Sequence, residues 1–258
     1  MEEREIIQIA GVGVCNGIAI GKLCIANQKT FEVKHKKIKD TTVERLRFHQ
    51  ARKLAIKNLK QLQVEALNKV GSYESKIFSI HQMMLEDEAY VKQIESAITL
   101  THVCAEYAVI QTEKQYSQMF RKMDNSYMQE RSADIEDISQ RVIRILSNAP
   151  EQELYQGEDC VVLAASDLLP SEAIQLDPKK VLAIFTSQGS KTSHAAIICR
   201  AMGIPTVVKT GMHRSQLKDK QNIIVDGTNG IIIQDPDESI LWNYQNKNTI
   251  YQVTNHIV

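Results

Sequence analysis

The segment from residue 189 to residue 200, GSKTSHAAIICR, contains the side chains whose types and spacing best suit chemistry. It follows the apolar run Val181–Phe185, which predicts a buried strand. A helix is predicted to begin near His194 and to end near Gly203, because a proline follows two residues later. The order is therefore a strand, a polar loop and a helix N-terminus.

This order of elements suits a phosphate, because the first amide N–H groups of a helix lack intrahelical acceptors and carry partial positive charge. Thr192 and Ser193 add hydroxyl donors, and Lys191 adds a positive charge. His194 follows them, and its neutral imidazole is a nucleophile near pH 7 since its unperturbed pKa is about 6.5. Phosphoryl transfer mainly needs positioning and charge stabilisation. The pattern predicts a histidine that accepts a phosphoryl group.

Plainer interpretations exist for the same residues. A histidine at a helix start is more often a cap or a surface residue, and a Gly-x-x-Thr-Ser loop is a common strand–helix connection. The segment is not a Walker A loop, whose glycine spacing is missing. The other histidines show no metal-ligand spacing, so no metal site is predicted. They are His35, His49, His81, His102, His213 and His256.

Composition narrows the class of protein. The 258 residues include 31 basic and 31 acidic side chains, so no electrostatic footprint of nucleic-acid binding is expected. The five cysteines are scattered without a Cys-x-x-Cys pair, which argues against a disulfide framework. We find no signal peptide and no run of about 20 apolar residues, so membrane insertion is not expected. A cytoplasmic protein with reduced thiols is predicted.

Three zones of the chain predict an α/β domain with an inserted helical bundle. Residues 6–27 alternate glycine with β-branched residues, which favours strands in hairpins. Residues 41–147 contain a single glycine, Gly71, and their apolar spacing predicts an antiparallel bundle whose first helix begins at Thr41 with hydroxyl caps. Residues 158–234 return to short apolar strands alternating with helices.

The predicted boundaries place both ends of the chain in one subdomain. Residues 1–35 and 148–235 form the α/β subdomain, and residues 36–147 form the inserted bundle. Residues 236–258 form a last, connecting helix.

The loop and its helix resemble the phosphohistidine signature of enzymes that use phosphoenolpyruvate, a family that includes Enzyme I of the sugar phosphotransferase system and the dikinases. The motif alone does not separate these two. Residues 77–88, 127–135 and 165–172 resemble, in order, two bundle motifs and the loop near the active histidine of Enzyme I. The resemblance covers nearly the whole chain and implies a swivelling phosphohistidine domain with an inserted helical bundle.

By that resemblance, His194 is the catalytic nucleophile, which receives the phosphoryl group of phosphoenolpyruvate and passes it to the phosphocarrier HPr for sugar uptake. The group would ride on the ring nitrogen farther from the backbone. The residues that would stabilise the phosphate are Gly189, Lys191, Thr192, Ser193 and Arg200. The residues on or near the docking face for HPr would be His81, Asp87, Glu88 and Arg131.

Each docking residue also has a plainer interpretation. Arg131 and Asp134 have the spacing of an i,i+3 pair on a helix surface, and residues 86–88 suit a solvated turn.

Enzyme I normally continues into a barrel domain that binds phosphoenolpyruvate and magnesium and that dimerises. The sequence stops at Val258, where a connecting helix is expected. We therefore expect no cofactor in this chain, with magnesium belonging to the absent C-terminal domain. We also expect a monomer that cannot use phosphoenolpyruvate alone but exchanges phosphate with HPr.

Several positions depart from the family pattern. Ser190 replaces a glycine, Lys191 an arginine, and Ala173 a threonine whose hydroxyl can meet the histidine. Cys15-Asn16 replaces Ser-Pro. Two alternatives therefore stay open: the swivelling domain of a dikinase, and a non-catalytic relative that keeps the bundle for docking.

Overall fold

The computed structural model describes residues 7–28, 33–150 and 153–255. The chain divides into two compact units. The α/β unit falls within Met1–Gln28, Glu153–Leu168 and Glu172–Val258, and the helical unit within Lys29–Gln152 and Leu169–Ser171. These divisions lie several residues from those predicted, and the last helix counts with the α/β unit.

The described residues of the α/β unit form one eight-stranded sheet, two complete α-helices and part of a third, short helix. Its strands are β1 (Ile7–Ala10), β2 (Val12–Cys15), β3 (Ile18–Ile25), β4 (Val161–Ala165), β5 (Val181–Thr186), β6 (Thr206–Val208), β7 (Asn222–Asp226) and β8 (Ile231–Gln234). The helices are α6 (Pro170–Ala173), which begins in residues of the helical unit, α7 (His194–Ala201) and α8 (Glu238–Asn255). The predicted α/β class is confirmed.

The strand order is β1-β8-β7-β3-β4-β5-β6-β2, with β3, β4, β5 and β6 parallel and the remaining pairs antiparallel. Apolar side chains of the central strands, among them Leu23, Val162 and Phe185, form the core. The carboxyl ends of β3, β4 and β5 meet at one edge of the sheet, and the loop that carries His194 leaves from that edge.

The first two strands do not form the hairpin that their glycine-rich sequence predicted. β1 pairs with β8 and β2 pairs with β6, at opposite ends of the strand order. Gly11 alone separates them, so the sheet curls until its two edges meet there. A Cβ on Gly11 would stand 2.7 Å from both Val207 Cγ1 and Val208 O. The alternation of glycine and β-branched residues indicated that these segments are strands. It could not indicate their partner strands, which lie about 200 residues away along the chain.

The part of the helical unit that the structure describes contains five helices, α1 (Thr41–Val70), α2 (Lys76–Glu86), α3 (Glu88–Thr101), α4 (Ala105–Arg121) and α5 (Ser126–Leu146). Buried side chains such as Phe48, Leu59, Tyr90 and Ile138 form its core. α4 and α5 pack along each other and are joined by only four residues, which requires them to run antiparallel. The predicted bundle of helices is therefore present.

The start of α1 differs in detail from the prediction. Its N-cap is Asp40 rather than a hydroxyl residue, and the Asp40 carboxylate accepts hydrogen bonds from the amides of Thr42 (2.9 Å) and Val43 (3.1 Å). α1 ends at Val70, and Gly71 follows it with a φ of +98°, a conformation that suits glycine.

Among the described residues, we find no helix with the length and apolar content needed to cross a membrane.

Candidate active site

The loop between β5 and α7 presents His194 at a capped helix start. Ser193 is the N-cap of α7, with an extended backbone (φ −60°, ψ 150°), and its Oγ accepts a hydrogen bond from the Ala196 amide at 3.2 Å. His194 is the first residue of the helix and is half-buried. The predicted order of strand, loop and helix N-terminus is present.

The first turn of α7 retains a donor for an anion. The Ala196 amide is satisfied by the cap, and the Ile197 amide donates to Ser193 O at 3.0 Å. The Ala195 amide has no hydrogen-bond acceptor within the residues that the structure describes. An unpaired N–H next to His194, at the positive end of the helix dipole, suits a negatively charged group.

The serine that replaces the family's glycine has a specific place in the loop. Ser190 Oγ accepts a hydrogen bond from the Thr192 amide at 3.0 Å and lies 2.7 Å from Thr192 Oγ1. The Ser193 amide donates to Ser190 O at 3.3 Å. Ser190 thus orders the turn before His194, while Lys191 stays exposed to solvent.

Gly189 is the residue of the loop whose backbone most clearly requires glycine. Its φ is +94°, a conformation that side chains with a Cβ rarely adopt. A Cβ built on it would also stand 2.9 Å from Asp167 Oδ1. The close neighbour is thus a carboxylate from the loop that follows β4.

Asp167 is a charged group of the site to which sequence reasoning assigned no role. Burial raises the pKa of its carboxyl group, and the hydrogen bond from the Leu168 amide to Oδ1 (2.8 Å) acts in the opposite direction. The family resemblance of residues 165–172 placed Asp167 on a loop near the active histidine. The position of its carboxylate is seen only in the structure, from its contact with Gly189.

The main chain of the loop is anchored to neighbouring segments. The amides of Ser187 and Gln188 donate to the carbonyls of Ala165 (3.1 Å) and Ser166 (2.9 Å). On the other side, the Lys209 amide donates to Gln188 O at 3.2 Å. These bonds fix the start of the loop from two directions.

Arg200 lies in the last turn of α7 and is exposed. It is the sixth residue after His194, which corresponds to about 9 Å along the helix axis. The structure does not place it beside Gly189 or Lys191, so its phosphate-stabilising role stays a prediction. Ala173 is fully buried and supplies no polar group.

His81, predicted to lie on or near a docking face, is a buried residue. Its side chain has no exposed surface, so it cannot itself touch a partner in this structure. Its Nε2 lies 3.3 Å from Asp134 Oδ1, and its Nδ1 lies 4.0 Å from Asp137 Oδ2. The apolar face of α2 turns inward, and His81 shares that face with Phe78. It is an interior residue of the helical unit.

The other three predicted docking residues lie nearer to solvent. Asp87 is exposed and caps α3, its Oδ1 accepting a hydrogen bond from the Tyr90 amide at 2.9 Å. Glu88 is exposed and pairs with Lys92 at 3.0 Å. Arg131 is largely covered, with 13% of its side chain exposed, and donates to Asp134 at 3.1 Å. The Arg131–Asp134 pair has the predicted i,i+3 spacing.

The part of the chain that the structure describes contains no cluster of side chains suited to bind a metal ion. No group of three or more histidine, cysteine, aspartate or glutamate side chains there could hold one.

Comparison with known families matches both units. The model described as "PEP-utilising enzyme, N-terminal" matches residues 10–131, and "PEP-utilising enzyme, mobile domain" matches residues 157–230. The second match contains His194.

Individual relatives agree. The phosphoenolpyruvate-protein phosphotransferase of Bacillus subtilis (strain 168) is 34% identical over 246 residues, which are 95% of this chain and 43% of that protein. The protein of the same name from Mycoplasma capricolum is 32% identical over 240 residues, 93% of this chain and 42% of that protein. This chain therefore spans less than half the length of these curated relatives.

Solved structures place the fold in the same group. The solution structure of Enzyme I (nEIt) superposes with a TM-score of 0.73 at 31% identity, covering 95% of this chain and 99% of that one. A second structure, "N-terminal domain of Enzyme 1 - Nitrogen", has a TM-score of 0.58 at 23% identity and supports the fold alone. The fold and the matched segments place the chain among the N-terminal and mobile domains of phosphoenolpyruvate-utilising enzymes. Within that class, the chain belongs to the family of Enzyme I N-terminal domains.

Proposed function

We propose that His194 carries a phosphoryl group and exchanges it with an HPr-like phosphocarrier protein. One observation carries the proposal: His194 is the first residue of a capped helix, next to an amide donor with no acceptor of its own among the described residues. The family models and the relatives' name, phosphoenolpyruvate-protein phosphotransferase, support the same chemistry.

The proposed step is a displacement at phosphorus. The lone pair of a ring nitrogen of His194 attacks the phosphorus of the carrier's phosphohistidine. The P–N bond to the carrier breaks, its electron pair returns to the carrier's ring, and a new P–N bond forms on His194. The carrier's ring gains a proton and the His194 ring loses one, so the exchange is balanced and reversible. We favour the nitrogen of His194 farther from the backbone.

The loop supplies the surroundings that such a step needs. The transferred group carries two negative charges near neutral pH, and the helix N-terminus, the Thr192 and Ser193 hydroxyls and the Lys191 ammonium would stabilise it. Lys191 acts as a flexible point charge, whereas the arginine usual in the family donates two parallel hydrogen bonds. We therefore expect slower transfer than with arginine at this position.

The biological setting follows the relatives and is part of the proposal. Phosphoenolpyruvate would be the primary donor, bound with magnesium by a separate C-terminal domain. The carrier would pass the group on for sugar uptake in the cytoplasm. A dikinase assignment is disfavoured, because the relatives named above match the helical unit as well as the mobile domain.

The test is transfer of labelled phosphate from a phosphorylated HPr to this chain. We expect acid-labile, alkali-stable label on the wild type and none on His194→Ala. His213→Ala is the matched control, because His213 is an exposed histidine of the same unit that is not part of α7, and its variant should label normally.

The competing interpretation predicts a different result. A non-catalytic relative that keeps the bundle for docking would bind HPr but take no label. The observations that favour it are three departures from the family pattern, Ala173, Ser190 and Lys191. A folded wild-type chain that stays unlabelled beside fully phosphorylated HPr would support this second function.

A further inference from the structure

We propose that Gln28 is a positioning residue for the His194 loop, an inference that rests on the proposed phosphoryl transfer. Gln28 follows β3, near the beginning of the chain, and is half-buried. Its side chain contacts the segment after β4, which in turn holds the loop before α7. Nothing in its local sequence marks it as part of a site.

The Gln28 carboxamide uses both its acceptor and its donor on one short segment. Its Oε1 accepts hydrogen bonds from the Ser166 amide (3.0 Å) and the Ser166 hydroxyl (2.9 Å). Its Nε2 donates to Asp167 O at 2.7 Å and lies 3.5 Å from Glu172 Oε2. The Gln28 side chain thus holds the main chain on both sides of the peptide bond that joins Ser166 to Asp167.

Two contacts carry this restraint onward to the His194 loop. Ser166 O accepts the hydrogen bond from the Gln188 amide at 2.9 Å. The Asp167 carboxylate lies against Gly189, where a Cβ would stand 2.9 Å from Oδ1. Gln28 therefore determines where the Asp167 charge lies and where the loop begins. A shift of about 1 Å at a reacting group can cost orders of magnitude in rate.

The chemistry of the contacts requires an amide at position 28. A carboxamide presents an acceptor and a donor together, whereas an ionised carboxylate has acceptors only. A glutamate there would turn an oxygen toward Asp167 O and toward the Glu172 carboxylate. When protonated, the same glutamate donates from its O–H and accepts with its other oxygen, which restores the pattern of glutamine.

The charged groups around position 28 determine the direction of the pH effect. The main-chain oxygen of Asp167 and the Glu172 carboxylate face position 28, and both would raise the pKa of a glutamate there. The Arg214 side chain, which lines the same cavity of about 200 Å³ as Gln28, acts in the opposite direction. Protonation of the variant should therefore occur in the acidic range, where its hydrogen bonds would return.

The experiment compares Gln28→Glu with the wild type in initial rates of phosphate transfer from phosphorylated HPr between pH 8 and pH 5. We expect the variant to be about tenfold slower at pH 8, with the ratio of the two rates approaching one as the pH falls. Gln8→Glu is the matched control, because Gln8 is an exposed glutamine in β1 of the same unit, and its ratio should stay near one throughout.

A merely structural glutamine would behave differently. Thermal unfolding is measured beside each rate, so a loss of folded protein is not mistaken for slower transfer. A Gln28→Glu ratio that equals the Gln8→Glu ratio at every pH overturns the proposal. So does a loss of rate that does not recover in acid while the variant stays folded.

Failure of this inference can be told from failure of the proposed function. If the wild type takes no label, amide NMR signals of Ser166, Gln188 and Gly189 provide the second measurement. Positioning by Gln28 predicts that all three signals move in Gln28→Glu at pH 8 and return toward the wild-type positions in acid. Signals that stay unmoved at Gln188 and Gly189 overturn it.

Discussion

The Asp167 carboxylate lies so close to Gly189 that a Cβ on the glycine would stand 2.9 Å from its Oδ1. Gly189 also has a φ of +94°, so the contact and the backbone conformation both exclude larger residues. The two residues come from loops after neighbouring parallel strands, β4 and β5. Their contact connects a half-buried acid with the start of the loop that presents His194.

Gly189→Ala should destabilise the chain and slow labelling of His194. The added methyl group meets the carboxylate, and the left-handed backbone adds strain, together about 2 kcal/mol in the free energy of unfolding. Gly203→Ala is the matched control, since Gly203 has a φ of +70° but nothing within 4 Å of a Cβ. Urea unfolding checks the difference. Equal losses in both variants would show that the Asp167 contact is not restrictive.

The stability of the chain should depend on pH through Asp167. Burial raises the pKa of this carboxyl group in the folded state above its unfolded value of about 3.9. The folded state therefore binds the proton more tightly, and its stability falls as the pH rises past the unfolded pKa toward the folded one. Asp167→Asn removes this loss and keeps an acceptor for the Leu168 amide.

Urea unfolding between pH 3 and pH 7 measures this effect. The free energy of unfolding of the wild type minus that of Asp167→Asn should decrease as the pH rises. Asp159→Asn, which removes a carboxyl group at an exposed position of the same unit, is measured beside it as the control. A difference that increases with pH would mean that the folded state stabilises the Asp167 charge.

Substitutions at Asp87 can separate capping from docking. Asp87→Ala removes the acceptor for the Tyr90 amide and should cost about 1 kcal/mol of stability, whereas Asp87→Asn keeps the cap. If the charge contacts HPr, Asp87→Asn should weaken binding of HPr at unchanged stability. Thermal unfolding and titration calorimetry with HPr measure the two quantities. Binding that follows stability in both variants would contradict a docking role.

His81→Ala should destabilise the helical unit without acting on an exposed surface. The substitution leaves a cavity and removes the ring from between two buried carboxylates, at a cost of about 3 kcal/mol. Met83→Ala on the same helix is the control, because that side chain is 68% exposed and should matter little to stability. Denaturant unfolding provides the comparison, and a similar midpoint for both variants would contradict the buried contacts.

Sequence alone predicted the features that depend on local pattern. The apolar runs predicted the strands β4 to β8, and the near absence of glycine predicted the helices of the bundle. The strand–loop–helix order around His194 was predicted because a cap and a stop signal are read from neighbouring residues.

Features that depend on distant contacts were not predicted. The partners of β1 and β2 lie near the other end of the chain, so glycine-rich alternation suggested a hairpin that does not form. The burial of His81 depends on which face of α2 turns inward. Gln28 and Asp167 are 139 residues apart, and no local signal connects them. The pairings of β1 and β2 and the contact between Gln28 and Asp167 form only when distant parts of the chain join one sheet.

Peptide mapping tests most directly whether the phosphoryl group resides on His194. The chain is incubated with phosphorylated HPr, digested at alkaline pH and analysed by mass spectrometry. The alkaline pH preserves a phosphoramidate. We expect one phosphorylated peptide, which contains residues 192–200, and none from His194→Ala. Phosphate on a peptide with another histidine, or persisting in His194→Ala, would contradict that expectation.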